Sequence, residues 1–230
     1  MSPQNLPAVL REVRARMVQA AAAAGRSAHS VTLLAVGKAH SPELLAAAAD
    51  CGVTDFGESY LQEALAKVAA LQERALTWHF VGRIQANKTR PIAATFAWVH
   101  ALDRLKLAER LAAQRPFHAP PLNVCLQVNI AGEASKGGVA PAELRALAAA
   151  VAALPHLTLR GLMCIPPEEA EPARQRAWFA RLRILKDELN AAGHTLDTLS
   201  MGMSGDFEAA IQEGATIVRL GTLLFGARPP

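Results

Sequence analysis

The chain has 230 residues, of which 51% are hydrophobic and only 5% aromatic, and its 24 Lys and Arg against 20 Asp and Glu give a net charge of +4. This length and composition suit a single α/β domain over residues 1–230 and exclude disorder or a coiled coil. The basic residues are scattered rather than clustered, so we expect no binding to nucleic acid.

The cysteines and hydrophobic runs indicate the compartment. Cys51, Cys125 and Cys164 are odd in number and far apart, which predicts neither a disulfide framework nor a zinc site, and we expect no metal. No stretch reaches transmembrane length, and the alanine run at 20–24 is too short and too weakly apolar for a signal peptide. We therefore expect a cytoplasmic protein that does not enter a membrane.

Helical patterns and apolar strand-like runs alternate from the N-terminus onward. Leu6, Val9, Leu10, Val13 and Met17 recur at helical spacing and predict an amphipathic first helix. Ser41-Pro42 predicts a helix start, and residues 142–153 and 174–192 predict later helices, the second followed by the helix stop Gly193. The eight predicted strands are residues 32–36, 53–56, 77–81, 97–100, 123–130, 158–162, 198–201 and 216–220.

Eight strand–helix steps in this length predict one closed (β/α)8 TIM barrel, with an open doubly wound sheet as the alternative. In such a barrel the functional site lies at the C-terminal ends of the strands. The polar residues expected at this mouth are Lys38, Glu58, Ser59, Tyr60, Arg83, Gln85, Asn87, Glu133, Ser135, Lys136, Ser204 and Thr222.

Lys38 follows the first predicted strand, which is almost entirely apolar, as is typical of a strand buried on both faces. Partial burial disfavours the ammonium form of a lysine and favours the neutral amine. A neutral amine can condense with an aldehyde, and pyridoxal phosphate is the usual biological aldehyde for that role. The alternative is a lysine that extends from the strand end into water.

The loops after the last two predicted strands are rich in glycine and hydroxyl groups. They read Met-Gly-Met-Ser-Gly-Asp at 201–206 and Arg-Leu-Gly-Thr at 219–222. Barrels commonly bind phosphate in these two loops, through backbone N–H groups and hydroxyls. Ser204 is alternatively a simple cap of the helix that begins near Asp206. Together with Lys38, the loops favour an aldehyde cofactor that carries a phosphate.

Seven motifs occur in order along nearly the whole chain. They are Val-Gly-Lys at 36–38, Phe-Gly-Glu-Ser-Tyr at 56–60, Trp-His-Phe-Val-Gly-Arg-Ile-Gln-Ala-Asn-Lys at 78–88, Gln-Val-Asn-Ile at 127–130, Gly-Leu-Met at 161–163, Leu-Ser-Met-Gly-Met-Ser at 199–204, and Val-Arg-Leu-Gly-Thr at 218–222 with Phe-Gly-Ala-Arg at 225–228. In these motifs the chain resembles the pyridoxal phosphate homeostasis protein family. The fold of that family is similar to the alanine racemase N-terminal domain.

The resemblance implies a role for each matching residue. Lys38 would hold pyridoxal phosphate as an aldimine, and Arg219 would face the pyridine nitrogen. The phosphate would be bound by Ser204, Gly221 and Thr222. Ser59, which stands where the family usually has Asn, would supply polar contacts near the aldimine; Gly37 and Ala39 replace the Ser and Thr that usually flank the lysine.

The resemblance further implies a protein that binds pyridoxal phosphate within vitamin B6 homeostasis, with apo pyridoxal enzymes as candidate recipients and no established reaction. A two-base racemase needs an acid/base group on each face of the cofactor, and Lys38 serves only one. The sole tyrosine is Tyr60, and no racemase β domain is expected. An arginine would also not protonate the pyridine nitrogen, because its pKa is too high for it to give up a proton, and the ring is then a poorer electron sink. We therefore predict a carrier without catalytic residues.

Three alternatives remain open from the sequence. The first is an amino-acid racemase or another pyridoxal phosphate enzyme. The second is a serine hydrolase built on Ser204, although Asp206 stands where the Gly-x-Ser-x-Gly motif has its last glycine. The third is an interaction scaffold without a cofactor. Lys136 is either a solvated loop lysine or a secondary aldehyde site, and we expect His79 and His100 to be hydrogen-bonded core residues.

Overall fold

Eight parallel strands form a closed barrel in which each strand pairs with its neighbours in the chain and the last returns to the first. The computed structural model describes residues 5–133 and 136–227. The strands are β1 (Thr32–Val36), β2 (Asp55–Glu58), β3 (Thr77–Phe80), β4 (Trp98–Leu102), β5 (Leu122–Gln127), β6 (Leu157–Met163), β7 (Thr198–Ser200) and β8 (Ile217–Leu220). The predicted (β/α)8 barrel is confirmed, and the open sheet is wrong.

Every predicted strand overlaps an observed one, and the largest error is at the end of β5. The strand stops at Gln127, because Val128 makes only an isolated bridge to Val139. The side-chain amide of Asn129 then donates to the carbonyls of Glu133 and Lys136, at 2.9 and 3.3 Å. The apolar residues at 128–130 therefore belong to an anchored loop, although their composition is that of a strand.

Helices cover the outside of the barrel. They are α1 (Leu6–Ala23), α2 (Pro42–Asp50), α3 (Leu61–Ala70), α4 (Thr89–Thr95), α5 (Leu105–Gln114), α6 (Pro141–Ala152), α7 (Pro172–Ala191), α8 (Phe207–Gln212) and α9 (Thr222–Phe225). As predicted, α1 is amphipathic, and it packs against α8 and α9. The hydroxyl of Ser41 accepts a hydrogen bond from the N–H of Leu44 and caps α2, whereas Gly193 follows α7 with φ +102°.

The two sides of the strands differ in chemistry because successive side chains point to opposite faces. Outward-facing residues such as Phe56, Val99 and Val124 are buried against the helices in a large apolar core. The inside of the barrel contains an unusual set of polar side chains that bond to one another across the strands, namely Asp55, His79, His100, Ser200 and Arg219.

None of the helices just named combines the length and apolar character that a membrane span requires. Within the described residues, no group of three or more His, Cys, Asp and Glu side chains is arranged to hold a metal ion. The three cysteines are free thiols, and burial raises the pKa of Cys125 and of Cys164 to about 12. These two buried thiols are therefore poor nucleophiles at neutral pH.

Candidate functional site

Lys38 lies in the turn that follows β1, at the C-terminal mouth of the barrel. Alternation along β1 directs the side chains of Leu34 and Val36 to the inside of the barrel, and Lys38 follows the end of this strand by two residues. The residue is half-buried, and its Nζ lies 5.5 Å from the centre of the Tyr60 ring. The predicted position of Lys38 at the mouth is thus observed, with an aromatic ring beside its amine.

Helix α3 holds the backbone on both sides of Lys38. The Nζ of Lys67 donates to the carbonyl of Gly37 at 2.8 Å, and the N–H of Ala39 donates to Oε2 of Glu63 at 3.0 Å. Ala39 adopts φ +63°, a left-handed conformation that costs an L-residue about 1–2 kcal/mol. The surrounding hydrogen bonds therefore fix a strained turn whose effect is to orient Lys38.

Glu58 does not lie at the mouth, which corrects the expectation from its position after the predicted strand at residues 53–56; it is the last residue of β2. Asp55 points into the barrel, so alternation turns Glu58 outward, where its Oε1 accepts a hydrogen bond from Lys67 at 2.8 Å. Burial raises the pKa of the Glu58 carboxyl, and the nearby Lys67 ammonium opposes that rise. A Cβ at Gly37 would stand 2.7 Å from Oε1 of Glu58, so the residue before Lys38 needs to be small here.

The loop after β7 meets the loop after β8 through Ser204. The hydroxyl of Ser204 accepts a hydrogen bond from the N–H of Leu223 at 3.2 Å. The alternative in which Ser204 caps the next helix is wrong, because α8 begins at Phe207 and Asp206 precedes it as the capping residue. The carboxylate of Asp206 instead accepts the N–H of Met203 at 2.6 Å.

Gly221 and Thr222 lie beside the Lys38 turn. A Cβ at Gly221 would stand 3.2 Å from the carbonyl oxygen of Val36, so the glycine allows close approach to the end of β1. The ring of His40 packs on Phe225 with centroids 5.2 Å apart, which joins the same two loops. Thr222 is exposed. The structure therefore brings Lys38 and the glycine- and hydroxyl-rich loops to one side of the mouth.

Arg219 projects from β8 into the barrel and is buried. Its Nη1 donates to the carbonyl and the hydroxyl of Ser200 at 2.6 and 2.9 Å, and its Nη2 donates to the carbonyl of Cys164 at 2.8 Å. Burial lowers the pKa of the guanidinium, but arginine remains a cation at any ordinary pH. Within the described residues these bonds use three of its five N–H groups, which leaves donors for a ligand.

After β2, the other neighbour of β1, Ser59 and Tyr60 border a cleft of about 280 Å³. Arg83, Gln85 and Lys88 also line this cleft. The backbone of Ser59 packs so closely on Gly82 that a Cβ there would stand 2.2 Å from the Ser59 carbonyl oxygen. Ser59 is thus fixed at the rim of the mouth, next to the tyrosine that contacts Lys38.

Lys136 is a loop lysine with partners of its own. Its Nζ donates to the carbonyl of Pro166 at 2.8 Å and pairs with the Glu133 carboxylate at 3.0 Å. Ser135, which was expected at the mouth, and Arg228, the last residue of the seventh motif, lie outside the described residues. A secondary aldehyde site at Lys136 remains a prediction.

The relatives of the chain support one family. Residues 10–229 match the family model "Alanine racemase, N-terminal domain". A pyridoxal phosphate homeostasis protein from Pseudomonas aeruginosa is 60% identical over 219 residues, or 95% of this chain and 94% of that protein. The protein of the same name from Escherichia coli is 48% identical over 95% of both chains. This chain belongs to the pyridoxal phosphate homeostasis protein family. The names of these relatives describe homeostasis rather than a reaction.

Solved structures of similar chains agree with this membership. PipY of Synechococcus elongatus is 40% identical and covers 86% of this chain and 93% of its own. Its structure without pyridoxal phosphate gives a TM-score of 0.81, and its structure with pyridoxal phosphate bound gives 0.79. An alanine racemase from Clostridium difficile, at 14% identity and a TM-score of 0.73, shares the fold; this chain covers 58% of it.

Several residues of the site were missed by the sequence analysis. Lys67 and Glu63 were not singled out, although a Glu and a Lys at i and i+4 suggest a pair on one helix face. That pattern does not reveal that both side chains bond to the backbone of the turn after β1. His79 and His100 are buried and hydrogen-bonded, as expected, but their common partners were not anticipated.

Proposed function

We propose that this protein binds pyridoxal 5'-phosphate as a Schiff base with Lys38 and takes part in vitamin B6 homeostasis in the cytoplasm. The cofactor supplies an aldehyde for the lysine amine, a phosphate and a ring nitrogen. The observation that carries the proposal is the convergence of matching groups at one mouth. A half-buried lysine stands beside two loops that offer hydroxyl and N–H donors, above a buried arginine with unused N–H groups.

Each predicted residue has a defined contribution in this proposal. Ser204 and Thr222 offer hydroxyls to the phosphate, and Gly221 allows its backbone N–H to approach closely. Arg219 donates to the ring nitrogen with an N–H that has no partner among the described residues. Ser59 and Tyr60 border the aldehyde end, because Tyr60 already contacts the Lys38 amine.

The site favours a carrier over an enzyme. A guanidinium at the ring nitrogen stabilises the unprotonated ring, which withdraws electrons from a substrate less strongly. Exchange of the Lys38 amine for another amine needs no such withdrawal, so the site can still release its cofactor. Apo pyridoxal enzymes are the proposed recipients.

A second candidate is an amino-acid racemase, favoured by the likeness of the fold to alanine racemases. Such likeness at 14% identity concerns the fold alone. In an enzyme of this kind Tyr60 would have to act as the second acid/base group, and half of its surface is exposed to solvent (52%). The two candidates differ in whether a bound amino acid loses its α-proton.

Reduction of the Schiff base tests the proposal. Pyridoxal phosphate is added to the purified protein, borohydride is added, and the pyridoxyl group is located by peptide mass mapping. We expect it on the peptide that contains Lys38, and we expect Lys38→Ala to abolish the label. Lys136→Ala, which removes another mouth lysine, is the matched control and should retain it. A label that survives in Lys38→Ala and disappears in Lys136→Ala would refute the assignment.

A further inference from the structure

Arg219 is a buried cation to which no carboxylate among the described residues is hydrogen-bonded, although Asp206 acts on it through space and, against the effect of burial, raises the pKa of its guanidinium. Only 6% of the residue is exposed, and in the described part of the chain its hydrogen bonds go to Ser200 and to the carbonyl of Cys164 rather than to a carboxylate. A buried charge is costly unless an opposite charge or well-aligned dipoles compensate for it. The guanidinium therefore needs compensating charge or dipoles from other groups inside the barrel.

An unbroken line of hydrogen bonds leads from Arg219 across the inside of the barrel to Asp55. Nη1 of Arg219 lies 2.9 Å from Oγ of Ser200, which lies 2.7 Å from Nδ1 of His100. Nε2 of His100 lies 2.9 Å from Nδ1 of His79. Nε2 of His79 then lies 3.1 Å from Oδ1 of Asp55. The five residues come from β8, β7, β4, β3 and β2, and we call them the barrel relay.

The two ends of the barrel relay determine the direction of every bond in it. A guanidinium can only donate and an ionised carboxylate can only accept. Ser200 therefore accepts from Arg219 and donates to Nδ1 of His100. His100 in turn donates from Nε2 to His79, and His79 donates from Nε2 to Asp55. Both imidazoles are then neutral and carry their proton on Nε2; the opposite tautomers would place the lone pair of His79 against the carboxylate.

The charge states along the relay agree with this assignment. Burial lowers the pKa of His79, although the hydrogen bond to Asp55 acts to raise it. Burial also places the pKa of His100 well below its usual value. Both rings are therefore neutral. Burial alone would raise the pKa of Asp55, but hydrogen bonds from His79 and Thr54 outweigh it and leave the pKa below its ordinary value. Asp55 also lines an open cleft at the N-terminal end of the barrel.

One further charged pair lies close to the relay. The guanidinium of Arg160 stacks over Trp98 at 4.9 Å, and Trp98 is stacked on His79 at 5.6 Å. Arg160 is paired with the Asp197 carboxylate at 2.7 Å, so this second cation already has its own counter-ion. Arg160 therefore does not need Asp55 as its counter-ion.

We propose that Asp55, His79, His100 and Ser200 are positioning residues that carry a compensating negative charge to Arg219 and hold its guanidinium at the cofactor's ring nitrogen. All hydrogen bonds in the relay point the same way, so each presents its electron-rich end to the arginine and its proton to the carboxylate. Such aligned bonds polarise one another and stabilise both the buried guanidinium and the half-buried carboxylate. This role for Arg219 rests on the proposed function, whereas the direction of the relay does not.

The direction is tested in the protein without added cofactor. Long-range ¹H–¹⁵N correlation spectra of histidine-labelled protein distinguish the two neutral tautomers of each imidazole. We expect His79 and His100, identified by the loss of their signals in His79→Gln and His100→Gln, to be neutral with the proton on Nε2. A proton on Nδ1 of either ring would overturn the relay, and so would a charged imidazole at neutral pH.

The effect of the relay on Arg219 is tested with protein that has pyridoxal phosphate bound. Asp55→Asn retains an acceptor for His79 and removes the negative charge. We expect this variant to bind pyridoxal phosphate about tenfold more weakly, which corresponds to about 1.4 kcal/mol. We also expect the visible absorbance band of the bound cofactor to shift. Asp50→Asn, which breaks an exposed pair with Arg74, is the matched control and should change neither. An unchanged affinity and band in a folded Asp55→Asn protein would refute the positioning role.

The two proposals fail in different ways. If wild-type protein does not bind pyridoxal phosphate, the proposed function fails, and the positioning of a ring nitrogen fails with it. If wild-type protein binds the cofactor normally but Asp55→Asn does so equally well, only the relay's role fails. The tautomer measurement gives a third result that depends on neither.

Discussion

The hydroxyl of Ser204 has one hydrogen-bond partner in the described structure, the N–H of Leu223, and this pair spans the two loops expected to bind phosphate. A hydroxyl in that position can rotate to donate to a phosphate while its oxygen keeps the backbone contact. Thr222 is exposed one residue before Leu223, so its hydroxyl can be offered to the same anion.

We expect Ser204→Ala and Thr222→Val each to weaken pyridoxal phosphate binding by about 1–3 kcal/mol, the usual effect of removing a donor from a charged acceptor. Ser204 lies in the loop between β7 and α8, and Thr222 is the exposed first residue of α9, so the unfolding transition should move little. Spectrophotometric titration measures the affinity, and Ser30→Ala, at an exposed site before β1, provides a control. If the double variant bound as tightly as wild type, the phosphate would have to bind elsewhere.

At the scale of an element, α3 matters because it supports a strand end and not only the core. Lys67 joins the carbonyl of Gly37 to the carboxylate of Glu58, and all three groups are buried. Removal of one member of a buried pair leaves the other charge without compensation, typically at a cost of about 3–5 kcal/mol. The pair is therefore a test of how the turn that carries Lys38 is held.

We expect Lys67→Met to lower the free energy of unfolding by about 3–5 kcal/mol, and Lys67→Met with Glu58→Leu to recover most of that loss. Burial raises the pKa of Glu58, so the folded state holds a proton on this carboxyl to higher pH than the unfolded chain does. The stability of the single variant should accordingly fall as pH rises through this raised pKa. Urea denaturation at pH values below and above the raised pKa of Glu58 measures this change in stability.

Arg74→Met serves as the control for this measurement, because it breaks an exposed pair with Asp50 whose expected contribution is about 0–1 kcal/mol. A single Lys67→Met variant as stable as wild type would contradict the view that the pair holds the turn. A double variant no more stable than the single one would show that Gly37, rather than Glu58, is the important partner.

The elements were predictable from the sequence to the extent that apolar runs report burial. Strand β1 was predicted with both ends correct, because all of its neighbours in the barrel are also buried. Glu58 was misplaced because the direction of a side chain depends on the phase of the strand, which only the inward-pointing Asp55 reveals. The barrel relay was not predictable, since it joins residues such as His100 and Ser200 that are far apart in sequence.

At the scale of the whole molecule, closure of the barrel is what assembles the site. Pairing of β1 with β8 sets Leu34 beside Arg219 and carries the chain onward to Lys38 and Gly221 at the same mouth. The same closure brings the inward residues of β2, β3, β4 and β7 to the arginine from below. One fold therefore places an amine at the mouth of the barrel and a buried cation within it.

This arrangement predicts amine exchange without α-proton loss. A guanidinium that is compensated through the barrel relay keeps its own protons, so it cannot protonate the ring nitrogen, and the ring remains a weak electron sink. The candidate acid/base group for the second face is Tyr60, the one tyrosine of the sequence, which is half exposed and contacts the Lys38 amine. A proton moved to Tyr60 would readily be lost to water.

We therefore expect the loaded protein to exchange Lys38 for added L-amino acids but to leave their α-protons in place. A shift of the visible absorbance band measures the exchange of amines. Deuterium uptake at Cα, followed by NMR in heavy water, measures the loss of the α-proton. Free pyridoxal phosphate at equal concentration gives the background, and Tyr60→Phe should match wild type. Uptake well above that background, absent in Lys38→Ala and reduced in Tyr60→Phe, would identify the protein as a racemase-like enzyme, because only a second acid/base group on the far face makes the tyrosine necessary.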